Sequence, residues 1–433
     1  MTNINQTPSL AGSAILVLDD QEYSASFALH YRVDQVYDFF VLLKGLPKNL
    51  MLSVASEGKP IKVVLEHRPE TIFNIKQVKD NQLWCKPVNG VIDDLSVETT
   101  EITEVRACLI NFRFVLSKAS EDNYSLKDET GSYRLGSTYF EMSGFRVEIR
   151  CTKDTELAHK QLRQDGGFAV THLLKFKPTN QKTMSPKELN MFLTTLHQVL
   201  GFANGAWVGI HDIKGFNSKG NVSYFPIKNY LCTRHQGRFG WFNAYHGNVL
   251  RSLAPKLSEF LNKQETADIF DRALYWYVRA NNSDGTGIDT SIILATTGLE
   301  LLTEYSSEKF GKSVPSNNGR KPPLGNKIRA AALFHNIPIN IDKITSPQSF
   351  ALKLINQWED IPTVIVKYRN DLVHPKAKIK SDDPHALTIE IWRLSVWYLE
   401  LFILRIIGYD SFYSNRLKTT HIDEVELMPW APE

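Results

Sequence analysis

The sequence predicts an α+β chain of more than one domain, with a β-rich amino-terminal half followed by an all-α helical bundle at the carboxy terminus. Three observations carry this expectation. Apolar residues alternate with polar ones in the first half, most cleanly where Phe145, Val147, Ile149 and Cys151 interleave with Arg146, Glu148 and Arg150, and a period of two gives a strand with one buried face. From about Asn262 the period becomes helical, with Ile288, Ile292, Ala295, Leu299 and Leu302 on one stripe. The 433 residues, 42% of them hydrophobic, also supply enough material for two or three cores.

Taken in order, strand signals recur at Tyr23 to His30, Ile61 to His67, Thr71 to Gln77 and Val105 to Leu116, separated by turn-forming pieces such as Pro87-Val88-Asn89-Gly90. Ser185-Pro186-Lys187-Glu188 opens a helix: Ser is a preferred N-cap, Pro suits the first helical position, and Leu189, Phe192, Leu196, Val199 and Leu200 give it an apolar face. A strand at 206–213 follows, and the stretch to about Leu261 completes or flanks the β region. Helices are then predicted at 265–280, along the Ile288 stripe, and at 324–334, 349–358, 363–373 and 384–408. The segment from Gly311 to Pro323 is too rich in Gly, Pro, Ser and Asn for a helix and reads as a mobile basic loop. The expected organisation is therefore a β-rich region over 1–261 with a sub-boundary near 185, a helical domain over 262–421, and a tail over 422–433.

Composition narrows the function. A net charge of +3 excludes a general nucleic-acid coater, so contact with a polyanion needs a local cluster of charge. Four cysteines without a C-x-x-C pair fit neither a disulfide framework nor a zinc ribbon and point to a reducing, cytoplasmic setting. No export signal is visible at Met1 to Ala14. The apolar stretch from Ala386 to Tyr409 carries Glu390, Arg393, Glu400 and Arg405, which are costly in lipid, so it reads as a buried helix and no membrane partner is expected. Neither a metal nor a cofactor is predicted, since the histidines lack metal-ligand spacing. Gly311-Lys312-Ser313 resembles the end of a phosphate-binding loop but lacks the earlier glycine and the preceding strand. The aromatic run from Arg238 to His246 could stack on bases, but packing is the favoured reading.

The sharpest constellation is Lys367-Tyr368-Arg369-Asn370-Asp371-Leu372-Val373-His374-Pro375. Arginine followed by histidine after four to six residues is weak evidence alone, because Arg329 with His335 and Arg416 with His421 share it. Context separates the pairs. An apolar run precedes Arg369, Asn370 follows it, and Pro375 pushes His374 out of helical geometry. Asn370 and His374, four apart, share a helix face, whereas Arg369 needs its long side chain or a loosened last turn to approach the imidazole. Cleavage of an RNA phosphodiester needs a proton taken from the 2′-OH, a proton given to the 5′-oxygen, and charge stabilisation at phosphorus. Histidine can serve either proton role, arginine forks onto phosphate oxygens, and Asn370 can hold one of them in place. Lys367, Lys376, Lys378 and Lys380 supply the local positive field for RNA. The bland alternative pairs Arg369 with an acidic neighbour and leaves His374 as a polar helix end.

These residues resemble the HEPN superfamily, whose hallmark is Arg, a polar residue and His near a helix end. The surrounding text resembles the ApeA-type HEPN proteins of bacterial phage defence: Thr297-Gly298-Leu299-Glu300-Leu301-Leu302, then Arg369-Asn370 through His374-Pro375, then Trp397-Tyr398-Leu399-Glu400-Leu401-Phe402 through Tyr409. The resemblance implies a metal-independent endoribonuclease acting as a homodimer through the helical domain, with 2′,3′-cyclic phosphate and 5′-OH products. It implies an acidic residue on an earlier helix near the motif, for which Glu300 is the candidate. It further implies a first half that senses an unknown phage-derived trigger, with transfer RNA as the leading substrate. A catalytically inactive HEPN scaffold or interaction protein is the alternative.

Overall fold

The computed structural model describes residues 10–432 apart from 34–36, 67, 69, 89–90, 93–100, 114, 116–125, 128–132, 135, 153, 181, 229, 236–239, 244, 283–286, 312–321, 341–359, 375–382 and 419–423. Two compact units emerge: residues 1–114, 144–197 and 208–235 form the first, and residues 115–143, 198–207 and 236–433 the second. The architecture is mixed, with the β-rich part amino-terminal and most helices in the carboxy-terminal part.

In the first unit, β1 (Leu10–Leu18), β2 (Gln21–Val33), β3 (Tyr37–Lys44), β4 (Ile61–Leu65), β5 (Glu70–Lys79) and β6 (Gln82–Pro87) close into a barrel in the order β1-β2-β3-β6-β5-β4. Helix α1 (Lys48–Glu57) joins β3 to β4 and adds Met51 and Val54 to the barrel core of Leu16, Leu29, Val41, Leu43, Val63, Phe73 and Leu83. Asp19 and Asp20 between β1 and β2, and Asp80 and Asn81 between β5 and β6, all take positive φ. Such two-residue turns match the right-handed twist of the paired strands. Cys85 lies inside the barrel, where burial pushes its thiol up to about 12 and leaves it inert as a nucleophile at neutral pH.

The same unit contains an antiparallel run of strands in the order β12-β13-β8-β14-β15: Phe145–Cys151, Val170–Pro178, Glu104–Ile110, Gly209–Phe216 and Val222–Tyr224. The short strands β7 (Val91–Ile92) and β16 (Ile227–Lys228) pair beside it. Helix α2 (Thr155–Asp165) packs on β13, and α3 (Pro186–Asn204) opens with the expected cap: the Ser185 amide donates to Glu188 Oε2 at 2.8 Å, and the Glu188 amide donates to Ser185 Oγ at 3.3 Å. The predicted strand Phe145 to Cys151 is β12 itself, with Val147 and Ile149 buried.

Four histidines are buried in this unit. Burial holds His159, His197 and His211 down at about 4 and His172 at about 3. They fold neutral and, once unfolded, regain the usual value near 6.5, so stability is full above pH 6.5 and falls as pH drops toward 4. With each unit of separation worth about 1.4 kcal/mol, the first unit should lose several kcal/mol between pH 7 and pH 4.5. Chemical-denaturation midpoints followed over that range check this. A flat profile would mean that the imidazoles carry protons in the fold.

The second unit is mainly helical. It contains α4 (Val249–Leu261), α5 (Gln264–Ala280), α6 (Ile288–Phe310), α7 (Leu324–Phe334), α8 (Ile361–Val373) and α9 (Pro384–Ile406). Short strands accompany them: β9 (Leu126–Lys127) with β10 (Tyr133–Arg134), β17 (Phe412–Tyr413) with β18 (Glu426–Leu427), and β11 (Ser137–Met142), which packs on α4. Helix α4 falls where the sequence suggests continued β structure; Pro255 inside it hides the helical pattern. The helix expected at 349–358 lies outside the described residues. Helix α6 packs against α5 and α9, and Gly298 permits the approach, since a Cβ there would stand 3.0 Å from the Leu399 methyls.

One ion pair is sealed within this unit. Arg416 Nε donates to Glu400 Oε2 at 2.9 Å, a second guanidinium nitrogen binds Glu400 Oε1, and both side chains are 1% exposed. Tyr277 OH also donates to Glu400 Oε1 at 2.7 Å, and Asn281 Oδ1 accepts from Arg416 at 3.1 Å. Among the described residues no helix is long and apolar enough to cross a membrane.

Candidate active site

Helix α8 is pinned at both ends by its sequence. Asp360 caps its start, accepting from the Thr363 amide at 2.8 Å, and Pro362 sits in the first turn. At the other end His374 leaves helical geometry (φ −129, ψ 78) while its amide still donates to Asn370 O at 2.7 Å. Pro375, next in the sequence, accounts for the stop. Asp383 caps α9 in the same manner, accepting from the Ala386 amide at 3.0 Å.

The three arginine-histidine pairs now separate by environment. Arg329 is spent on structure: it pairs with Asp360, donates to Asn326 Oδ1 at 2.8 Å and to Thr363 Oγ1 at 2.7 Å, and so ties α7 to α8. Burial would raise the Asp360 carboxyl, but hydrogen bonds from Arg329 and Thr363 hold it below the usual range. His335 is buried against Ser306 Oγ at 3.0 Å, and burial lowers it to about 4. Arg416 is the buried partner of Glu400, and His421 lies outside the described residues. In the third pair, Arg369 is half-buried while Asn370 and His374 are exposed. Arg369 Nη1 donates to Asn370 Oδ1 at 3.1 Å, so the guanidinium and the amide are already coupled. No hydrogen bond joins Arg369 to His374, and no ion pair joins Arg369 to an acidic residue among the described residues.

Tyr368 locates this motif in the unit. Its hydroxyl is 2.6 Å from Thr388 Oγ1 in the first turns of α9. Burial pushes its phenol up, and the charges of Asp289 and Asp371 act in the same direction, against the Thr388 hydrogen bond. Asp289, in the first turn of α6, is therefore close to the end of α8. Near the other end of α6, Glu304 pairs with Lys327 of α7, whose first turn meets the start of α8 at Pro362 and Thr363. Helices α6 and α8 thus run antiparallel. Glu300 lies on the same helix about 16 Å along the axis from Asp289, toward the start of α8. Asp289, whose charge acts on Tyr368, and His385, an exposed imidazole in the first turn of α9 near Thr388, are polar residues toward the Tyr368 side of α8 that sequence reasoning passed over. Neither sits in a recognisable spacing, and only the packing of three helix ends gathers them.

Lys367 is exposed on α8, whereas Lys376, Lys378 and Lys380 lie outside the described residues, as does most of the Gly311 to Pro323 loop. Gly311 itself takes φ +63 as the left-handed residue that closes α6, a structural reason for the glycine. In the aromatic run, Trp241 and Phe242 are core residues. The Trp241 indole donates to Phe202 O at 3.2 Å and packs against Phe202 and Tyr409, so Trp241 and Phe242 pack inside the second unit, whereas Tyr245 is exposed. Among the described residues, no group of three or more His, Cys, Asp or Glu is arranged to hold a metal ion.

Comparison with known proteins gives two domain-level matches. Residues 263–426 match the YopA C-terminal domain, and residues 97–238 match the YopA central domain. No solved structure matches. The chain is 25% identical over 272 residues to the "SPbeta prophage-derived uncharacterized protein YopA" of Bacillus subtilis (strain 168). That alignment covers 62% of this chain and 60% of the relative, so the similarity is to part of each protein; the match to the YopA C-terminal domain spans Arg369 and His374.

Proposed function

We propose that this chain is a metal-independent endoribonuclease of HEPN type, with His374 and Arg369 as its catalytic residues and Asn370 holding the guanidinium. One observation carries the reading: of three arginine-histidine pairs five or six residues apart, two have an arginine committed to a carboxylate, whereas Arg369 meets no carboxylate among the described residues and His374 is exposed at a helix end.

His374 takes the proton from a ribose 2′-OH as that oxygen attacks the adjacent phosphorus. The new bond is 2′-O–P, the bond broken is P–5′-O, and a proton delivered to the 5′-oxygen completes the exchange. The products are a 2′,3′-cyclic phosphate and a 5′-OH end. Arg369 neutralises the charge that builds on the non-bridging oxygens, a role worth on the order of 10² to 10³ in rate for comparable donors. Proton transfer by a positioned imidazole contributes typically ~10² to 10⁴. Transfer RNA is the leading substrate, and a homodimer through the helical region is the expected working form. Prophage origin of a relative suits the expectation of a phage-derived trigger and a part in abortive infection.

Incubation with total RNA followed by mapping of 5′-OH ends tests the reading. Discrete new ends are expected, formed at the same rate in EDTA. A catalytically inactive scaffold yields no ends, and activity lost in EDTA and restored by a divalent ion would replace this mechanism with a metal-assisted one.

A further inference from the structure

The carboxy-terminal half of α5 presents a second feature at the motif's end of the helical unit. Arg272, Tyr275, Trp276 and Arg279 follow one another at steps of three, one and three residues, which puts them on a single face. Tyr275 is 42% exposed, the two arginines are exposed, and Trp276 is half-buried. The Arg279 guanidinium lies 4.7 Å from the centre of the Tyr275 ring, and the Trp276 ring stands edge-on to it at 5.0 Å. Neither arginine takes part in an ion pair among the described residues. The acidic residues of the helix, Glu265, Asp268 and Asp271, all lie in its first half, where Gln264 donates to Asp268 and Gln198 to Asp271. A helix dipole alone explains a cation in the last turn; it does not explain an aromatic ring left toward water between two cations.

Position gives the cluster its meaning. The Trp392 indole of α9 donates to Ala280 O at the end of α5, at 2.7 Å. Thr388, one turn earlier on α9, meets Tyr368, and Asp289 on the first turn of α6 acts on the same tyrosine. The end of α5, the start of α9 and the end of α8 are therefore linked through Trp392, Thr388 and Tyr368 toward one end of the unit.

We propose that Arg272, Tyr275, Trp276 and Arg279 form a base-stacking subsite for unpaired RNA. This rests on the ribonuclease reading and narrows its substrate class to single-stranded or loop RNA. Every base has a π-face to offer an exposed aromatic ring, and flanking guanidinium groups neutralise the phosphates on either side. Duplex RNA hides those faces within its own stack and gains only the charge.

The test uses the full chain and two kinds of RNA. A 2′-O-methyl single strand, which cannot be cleaved, reports binding by fluorescence anisotropy. Tyr275→Ala should weaken it about 5- to 150-fold, the equivalent of losing one stacked base. Tyr275→Phe should retain most of the affinity, and binding of a fully paired duplex should be unchanged. Cleavage of an unpaired oligonucleotide should fall in Tyr275→Ala, while cleavage of a dinucleotide holding only the scissile bond should not. Equal binding by wild type and Tyr275→Ala would overturn the subsite, as would an equal loss for duplex. Light scattering supplies a further check: conversion of a dimer to a monomer by Tyr275→Ala would assign this face to a protein interface and reject the RNA role. Cleavage that ignores Tyr275 defeats the subsite alone, whereas Tyr275-dependent binding without cleavage by wild type defeats the ribonuclease reading and leaves the subsite standing.

Discussion

Replacing His374 by Ala is expected to reduce RNA cleavage by at least 10², and replacing Arg369 by Ala to do so by a similar factor, while neither change unfolds the protein. His374 is exposed and its side chain is not needed to end α8, because Pro375 does that. Arg369 is half-buried and bonds only the neighbouring Asn370. Substitutions at such positions shift stability by about 0.5 kcal/mol or less, so thermal melts of both variants should overlay that of the parent. Arg329→Ala provides the contrast. Arg329 also precedes a histidine, six residues on, yet its loss strips Asp360 of its partner at the start of α8 and should cost stability before it costs chemistry. Rates from single-turnover cleavage, set beside denaturation midpoints for the three variants, decide the matter. Full activity in both His374→Ala and Arg369→Ala would end the catalytic assignment, and equal losses in all three would reduce it to a folding effect.

The largest stability loss is expected at Glu400 and Arg416. Removing one member leaves the other as a buried charge facing Tyr277 and Asn281, and such a loss typically costs ~3–5 kcal/mol. Glu400→Ala or Arg416→Ala alone should therefore lower the denaturation midpoint steeply. The double replacement Glu400→Leu with Arg416→Met should recover much of it, since apolar residues of similar volume fill the space without an uncompensated charge. Single variants that melt with the parent would show that water reaches the pair.

The same two residues show how far the sequence could be read. Glu400 in an apolar helix argues correctly against a membrane span, but nothing local indicates that Arg416 reaches back to meet it. Arg416 instead enters the sequence reading as one of three arginines upstream of a histidine. Capping residues were far more legible. Ser185 with Glu188 marks a helix start that the structure reproduces, because a cap is a contract among residues three or four apart; Asp360 and Asp383 cap α8 and α9 by the same local rule. Barrel strands β1 and β6 escaped because their turns use Asp19-Asp20 and Asp80-Asn81 where glycine is the usual signal, and because closure joins strands distant in sequence. Glu300 was the acidic candidate that the resemblance implied. Asp289, whose charge acts on Tyr368 from the first turn of α6, had no comparable signal in the sequence.

By itself the sequence determined the start of α3, the helical character of the chain from about Gln264 on, which half is β-rich, and that His374 closes a helix just after Arg369 and Asn370. These depend on interactions within a few residues, which spacing and residue type report directly. Only the tertiary structure decided which arginines are committed to buried carboxylates, that His374 is exposed near an Arg369 with no ion pair among the described residues, and which aromatic residues face water. Each of those depends on partners brought from distant parts of the chain, and burial has no local signature when the groups that cause it are dozens of residues away.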